Sequence, residues 1–511
     1  MLSNAILKVL AIFASTVVAG PVVHANSGAD LIQLLEERAT PTLNFPISPQ
    51  ASIVTPDSPD WIADTARWST WSPPTFSVAF IPAVEKDVSV GLQYMSRHNI
   101  SFLAMGGGHG NTLTLATAKD VVLINMEKFN KITINSDRTI TVGGGVKFGD
   151  VYTAAYEAGR ELPLGSCACV GVGGASIGGG HGRLQGKYGL IVDIIVKLRV
   201  TLWDGSIVEA SATKNSDLFW AMRGAGHNFG IVLEFTYKTW PLQKTGLTYN
   251  ADMTFTTDSL SGVLTAINGL IPNQDPGLAM DFFILTDPNT HETVIYLNIV
   301  YAGTLDQGKK FTARFANNTK SAATRIGRNF LNESMVPWDQ INHVAAGGMM
   351  DLACTPGVKY NVYSVNTKQF DIPQHLQLYD SYVEFIKNNP LASMSMLFYE
   401  IFGQKAVLEQ DASKTAAGNR QYANILAMVQ TMYTDDSVGP AAEAWVHSWR
   451  DQLWEPKHSG YDVETVYMNY AHGDEKLEAL YGYEPWRLQR LRSLKKRYDP
   501  HGFFNFYNSV L

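Results

Sequence analysis

The rhythm of apolar positions changes several times along this 511-residue chain, and the changes mark out its elements. Phe76 to Ile81 is a short apolar run of strand type, and Val84 to His98 then repeats apolar residues at helical spacing before a polar turn. Phe102 to Met105 runs apolar into a glycine cluster, and Val121 to Ile124 reads as another strand. Thr139 to Gly143 alternates as a half-buried strand does, and Phe148 to Ala158 returns to helical spacing. Ile194 to Leu202 is a long β-branched run turned by Trp203-Asp204-Gly205, with Ile207 to Ala210 as the second arm of a hairpin. Asn215, Ser216 and Asp217 cap a helix from Leu218 to Met222 that stops at Gly224-Ala225-Gly226, and Phe229 to Val232 leads into a further strand.

Beyond about Pro241 the glycine-rich loops give way to longer elements. Met280 to Leu285 and Thr293 to Tyr301 read as a hairpin across Asp287-Pro288-Asn289, and Ser393 to Phe402 as a strand. Helices are predicted over Phe370 to Lys387, Tyr422 to Met432 and about Ala441 to Leu453. An antiparallel sheet covered by helices on one face is the economical arrangement. Ahead of all this, Leu43 to Thr75 is rich in Pro, Ser and Thr and carries Trp61, Trp68 and Trp71, which suits an extended segment wrapped on a core. The divisions are therefore 26–73, 74–245, 246–460 and 461–511, with no internal repeat.

Composition narrows the class. With 45% hydrophobic and 17% charged residues the chain fits an enzyme of two or three packed units, and a net charge of −7 argues against nucleic acid as partner. Met1 to Ala25 has Lys8, an apolar run from Val9 to Gly20 and the ending Val23-His24-Ala25, which reads as a secretory signal peptide. That run is short of the roughly twenty residues that span a bilayer, so secretion is expected rather than membrane insertion, and a monomer. Asn99, Asn317 and Asn332 open glycosylation sequons. The three cysteines, Cys167, Cys169 and Cys354, allow at most one internal disulfide, whose partners stay open.

The candidate chemistry lies in the glycines. Gly165 to Gly182 holds eight glycines in eighteen residues, and two smaller clusters stand at 106–110 and 143–145. Such density lets backbone N–H groups close on a phosphate-bearing cofactor. The candidate contacts are Gly106, Gly107, Gly108, Gly110, Gly171, Gly173, Gly174, Gly178, Gly179, Gly182 and, on the strand beyond, Val232. None of the clusters is G-x-G-x-x-G, because Ser176 stands where the third glycine belongs, so a Rossmann dinucleotide site is disfavoured. His109, flanked by glycines, has an imidazole open to whatever the loop binds, or is a plain surface histidine. Cys167 and Cys169 lack further ligands nearby, and no metal site is expected. With no H-E-x-x-H and no G-x-S-x-G, zinc and serine hydrolases are set aside.

Met105-Gly-Gly-Gly-His109, Gly165-x-Cys167-x-x-Val-Gly171-x-Gly-Gly, Gly178-Gly-Gly-x-Gly182, Tyr188-Gly-Leu-Ile-Val-Asp193, Asp217-Leu-Phe-Trp-Ala221 and Arg223-Gly-Ala-Gly-His-Asn-Phe-Gly230 stand in that order. With Tyr467-Met-Asn-Tyr470, Tyr481-Gly482, Leu488 and Tyr498-Asp-Pro500 they closely resemble the FAD-linked oxidases of the berberine bridge enzyme-like group. The resemblance covers about 74–245 and 461–511. It implies an α+β fold: a two-part FAD-binding domain of PCMH type, closed by the returning C-terminus, and a substrate domain whose sheet roofs the flavin. It implies FAD attached twice, at its 8α position to His109 and at C6 to Cys167, and Tyr470 as catalytic base.

The chain departs from the group's usual residues at Met105, Gly502, Asn505 and Asn508, and 246–460 matches only loosely. The expected activity is hydride transfer from a small organic substrate to flavin, with O2 as acceptor and hydrogen peroxide as product. A secondary metabolite undergoing oxidation, dearomatisation or cyclisation is the expected substrate. A carbohydrate or alcohol oxidase and a flavin-binding protein without activity are the alternatives. Tyr470 works as base near neutrality only if its pKa, ordinarily about 10, is lowered by positive charge or hydrogen bonds. Glu400, on the candidate roofing strand, is the next residue to consider.

Overall fold

β2 (Phe76–Ile81) ends in four buried residues, and α1 (Glu85–Arg97) follows with Val88, Gly91, Leu92 and Met95 on its buried stripe. The Asp87 carboxylate accepts the backbone N–H groups of Ala83 and Val84, which fixes where α1 starts. β1 (Ser52–Val54), β2, β4 (Val121–Asn125) and β3 (Phe102–Met105) form a sheet in that order, with β4 parallel to both β2 and β3. The structure, a computed structural model, describes residues 41, 43–316 and 325–511. The expected signal peptide and Asn317 lie outside the described residues.

A second, antiparallel sheet has the order β5 (Ile132–Ile134), β6 (Thr139–Gly143), β10 (Ile231–Lys238), β8 (Ile195–Thr201) and β9 (Ile207–Ser211). The short pair β7 (Arg160–Glu161) and β11 (Trp240–Pro241) lies beside it in sequence. α2 (Phe148–Glu157), α3 (Val172–Ile177) and α4 (Ser216–Ala225) share its core with Ile140, Val142, Leu198 and Phe235. Asn215 does stand at the head of α4, but its side chain bonds back to the Glu209 carbonyl and caps nothing.

The central sheet is antiparallel throughout, in the order β15 (Arg328–Pro337), β12 (Leu247–Phe255), β14 (Thr293–Tyr301), β13 (Leu278–Thr286), β17 (Met396–Phe402), β18 (Ile425–Tyr433) and β16 (Lys359–Thr367). Alternation splits β17 cleanly. Leu397, Tyr399 and Ile401 pack under α5 (Leu260–Asn268), α6 (Ile372–Asn388) and α7 (Gly439–Trp454), while Met396, Phe398 and Glu400 face away from them. The helix expected over Tyr422 to Met432 is instead β18. Every residue of β18 is buried, because one face meets the helices and the other the cavity, so its apolar run carries no period-2 signal.

In the segment ahead of β2, Trp61–Thr65 is a short helix where extended chain is expected, Trp68 stacks on Tyr360 with ring centroids 3.9 Å apart, and Trp71 lies on His472. The C-terminus returns through α8 (Pro485–Tyr498), whose buried Lys495 ammonium donates to the carbonyls of Asn228 and Phe504 and to Asp499. Asn508, a departure residue, is buried and bonds Thr112 and Thr114. Asn99 and Asn332 are exposed.

Candidate functional site

β3 delivers the chain to Gly106, and the loop turns through Gly108 at φ +72°, a left-handed conformation that glycine adopts without strain. A side-chain carbon on Gly107 would strike the Gly171 backbone, and one on Gly171 would strike Gly107, so the first and third glycine loops meet backbone to backbone. Gly144, from the second cluster, lies against the Val232 carbonyl in the same way. The three loops thereby enclose one cavity of about 1900 Å³. That exceeds the roughly 300–1,000 Å³ of an ordinary small-molecule site and leaves room for a dinucleotide beside a substrate. Gly106, Gly107, Gly108, Gly110, Gly171, Gly173, Gly174 and Val232 line it, together with His109, Cys167 and Tyr470. Gly178, Gly179 and Gly182 do not: they pack on Asn469, Tyr467 and the Leu164 carbonyl, and Gly180 reaches the cavity in their place.

His109 is half-buried and stacked on Trp68 at 5.1 Å. Burial, with Lys147 and Arg67 nearby, pushes its pKa down to about 4, so its imidazole is neutral at physiological pH. Arg67 comes from the wrapping segment and donates to the Gly110 carbonyl at 2.5 Å. Cys169 and Cys354 form a disulfide, which answers the pairing left open by the sequence. Cys167 is the free thiol, with its Sγ 3.6 Å from each of the bridged sulfurs. Burial pushes its pKa up to about 11, with Asp351 and Glu400 adding to the rise. Three sulfurs lie together here, but two are spent on each other, so they are not a metal triad.

The cavity roof carries the acid. Glu400 is buried on β17, and its carboxyl accepts from Ser166 Oγ at 3.0 Å and from the Tyr470 hydroxyl at 2.8 Å. Asp281 sits directly opposite it on β13. Burial first, and Asp281 second, push the Glu400 pKa up to about 7. Arg183 holds Asp281 at 3.2 Å and also donates to Asn342 and to the Ser166 carbonyl. Burial and the Glu400 charge push the Tyr470 pKa well above the ordinary value, opposite to the direction a base near neutrality requires. It is a donor to a carboxylate.

Residues 76–211 match the FAD binding domain family, and residues 466–511 match the berberine and berberine like family. The chain is 32% identical to FAD-linked oxidoreductase srdI of Neurospora crassa, over 100% of this chain and 99% of that protein. It belongs to the berberine bridge enzyme-like family of FAD-linked oxidoreductases. The fold is that of the xylooligosaccharide oxidase from Myceliophthora thermophila, at 20% identity, TM-score 0.75 and coverage of 90% and 97%. It is likewise that of the glucooligosaccharide oxidase from Acremonium strictum, described with 6-S-cysteinyl, 8α-N1-histidyl FAD, at 21% identity, TM-score 0.72 and the same coverage.

This FAD-linked oxidoreductase has a cavity wall that fits its cofactor, since Gly106, Gly107, Gly108, Gly171, Gly173 and Gly174 bring backbone and no side chains of their own to it. Sequence reasoning passed over Ser166, Arg183 and Asp281. A signal was there for Asp281 and Glu400, each a lone carboxylate in an otherwise apolar strand, Ala-Met-Asp-Phe-Phe and Phe-Tyr-Glu-Ile-Phe. Arg183, directly after the third glycine cluster, carried none. Among the described residues no helix is long and apolar enough to cross a membrane.

Proposed function

We propose that this enzyme is a secreted oxidase that takes a hydride from a small organic substrate and passes the electrons to O2, and that His109 and Cys167 both bind its FAD covalently. The observation that supports this best is the buried Glu400–Tyr470–Ser166 cluster, which opens on the same cavity as those two residues. FAD, when bound, supplies the hydride acceptor and the route to O2. Glu400 takes a proton from a substrate O–H or N–H, its pKa near 7 matching that task. Tyr470 and Ser166 donate to its two oxygens and so hold the carboxyl in one orientation. The neutral His109 offers a nitrogen lone pair at the cofactor wall.

The base assignment distinguishes this reading from a flavin-binding protein without activity. The apolar roof around Glu400 favours a secondary metabolite over a sugar. Secretion is supported by the Cys169–Cys354 disulfide, a bond that persists in oxidising compartments, and by the exposure of Asn99 and Asn332. Acid precipitation tests the attachment: the pellet stays yellow, and a tryptic digest yields one flavin joining the His109 and Cys167 peptides. FAD released wholly to the supernatant would overturn it. N-terminal sequencing of native protein tests the removal of residues 1–25.

A further inference from the structure

One part of the cavity roof is a continuous apolar patch. On the face of the central sheet opposite the helices stand Phe283, Met396, Phe398, Met428 and Met432, joined by Met350 from the segment beyond β15. Phe283 and Phe398 stack at 4.5 Å. Two hydroxyls packed against the patch are engaged already: the Tyr360 hydroxyl donates to the Thr355 carbonyl, and the Tyr296 hydroxyl bonds Asp252. Gln430 differs. It is 8% exposed, lines the cavity between Met396 and Val362 of the neighbouring strands, and its side-chain amide bonds no described residue. A ligand that covers this amide and supplies a hydrogen-bonding partner binds better than one that covers it without.

The register fixes where this amide lies relative to the acid. Gln430 pairs with Met396, four residues along β17 from Glu400, so the two are roughly 14 Å apart at about 3.4 Å per residue. We propose that the substrate is an elongated, flat and largely apolar aromatic molecule whose reacting hydroxyl meets Glu400 and whose far end carries a second hydrogen-bonding group for the Gln430 amide. The proposal rests on the reading of Glu400 as the reacting end. Methionine side chains adapt to a flat ring system and make favourable sulfur–aromatic contacts. A sugar, with a hydroxyl on nearly every carbon, would bury those hydroxyls against Met and Phe without partners. Gln430 is thus the specificity-determining residue for the length and far-end chemistry of the substrate.

Binding to the oxidised holoenzyme, read from the flavin difference spectrum, tests this without turnover. The probes are trans-4-hydroxystilbene, 4,4′-dihydroxystilbene and cellobiose. The expected result is that the dihydroxystilbene binds about tenfold more tightly than the monohydroxystilbene, the worth of one buried hydrogen bond. Gln430→Leu should erase that gap. Met428→Ser should weaken both stilbenes alike. Equal affinity of the two stilbenes for the wild-type enzyme, or a gap that survives in Gln430→Leu, would overturn the role of Gln430. Perturbation by cellobiose but by neither stilbene, or by none of the probes, would overturn the substrate class. Failure of the Glu400 reading appears elsewhere, as unimpaired anaerobic flavin reduction by Glu400→Gln.

Discussion

Glu400 and Asp281 face each other across adjacent strands, and two carboxyls so placed do not both ionise readily. Glu400→Gln should slow anaerobic flavin reduction by about 10²–10⁴, the usual contribution of a general base. Tyr470→Phe removes one hydrogen bond to the carboxylate and should cost closer to tenfold. With Glu400 as the proposed base, acting in its ionised form, the rate of reduction should rise with pH through about 7 and level off above. The Tyr470 hydroxyl favours the ionised carboxylate, so Tyr470→Phe should move that rise to higher pH. A flat stopped-flow profile across this range would count against Glu400. His109→Ala and Cys167→Ala should each leave a flavin attached at the other residue, seen as one modified peptide by mass spectrometry. At this scale the sequence exposed His109, Cys167 and Tyr470 through their motifs, but not the role of Tyr470. A pKa depends on burial and on which charges the fold brings near, and Glu400 is 70 residues from Tyr470.

The elements divide by how many faces they bury. α1 was legible because one stripe is apolar and the opposite side polar, so its period showed directly. β18 was not, because it is buried on both faces and an uninterrupted apolar run suits a helix as well as a strand. The glycine loops were legible as loops, yet only their packing shows which glycines matter. Gly107→Ala should force the first and third loops apart and leave protein that folds, by circular dichroism, with little bound FAD by visible absorbance. The Cys169–Cys354 disulfide ties the third loop to the segment carrying Met350, across 185 residues of chain. In the chain-entropy view its loss costs about 5 kcal/mol at most, so Cys354→Ser should lower stability toward urea by about 2–5 kcal/mol.

Across the whole molecule, the two units are joined through the Arg183–Asp281 ion pair, both side chains 1% exposed. Removing one member of a buried pair strands the other charge, so Arg183→Met should destabilise by about 3–5 kcal/mol in urea unfolding. Arg183 also lowers the Glu400 pKa, so the same substitution should raise the midpoint of the pH–rate profile. Arg183→Met combined with Asp281→Leu should recover much of the stability and bring the midpoint back down, because the Asp281 charge adds to the rise that burial causes. By itself the sequence determined the order of most elements and the three glycine loops, each written in a local run of residues whose spacing or backbone freedom is its own signal, and through the resemblance of its motifs to a family it implied the α+β class, FAD and the candidates His109 and Cys167. Only the tertiary structure decided which cysteines pair, which glycines face the cavity, that β18 is a strand, and that the Tyr470 hydroxyl donates to Glu400. Those outcomes depend on contacts between distant segments, and the charge, burial and hydrogen bonding that set them do not exist until the chain has closed on itself.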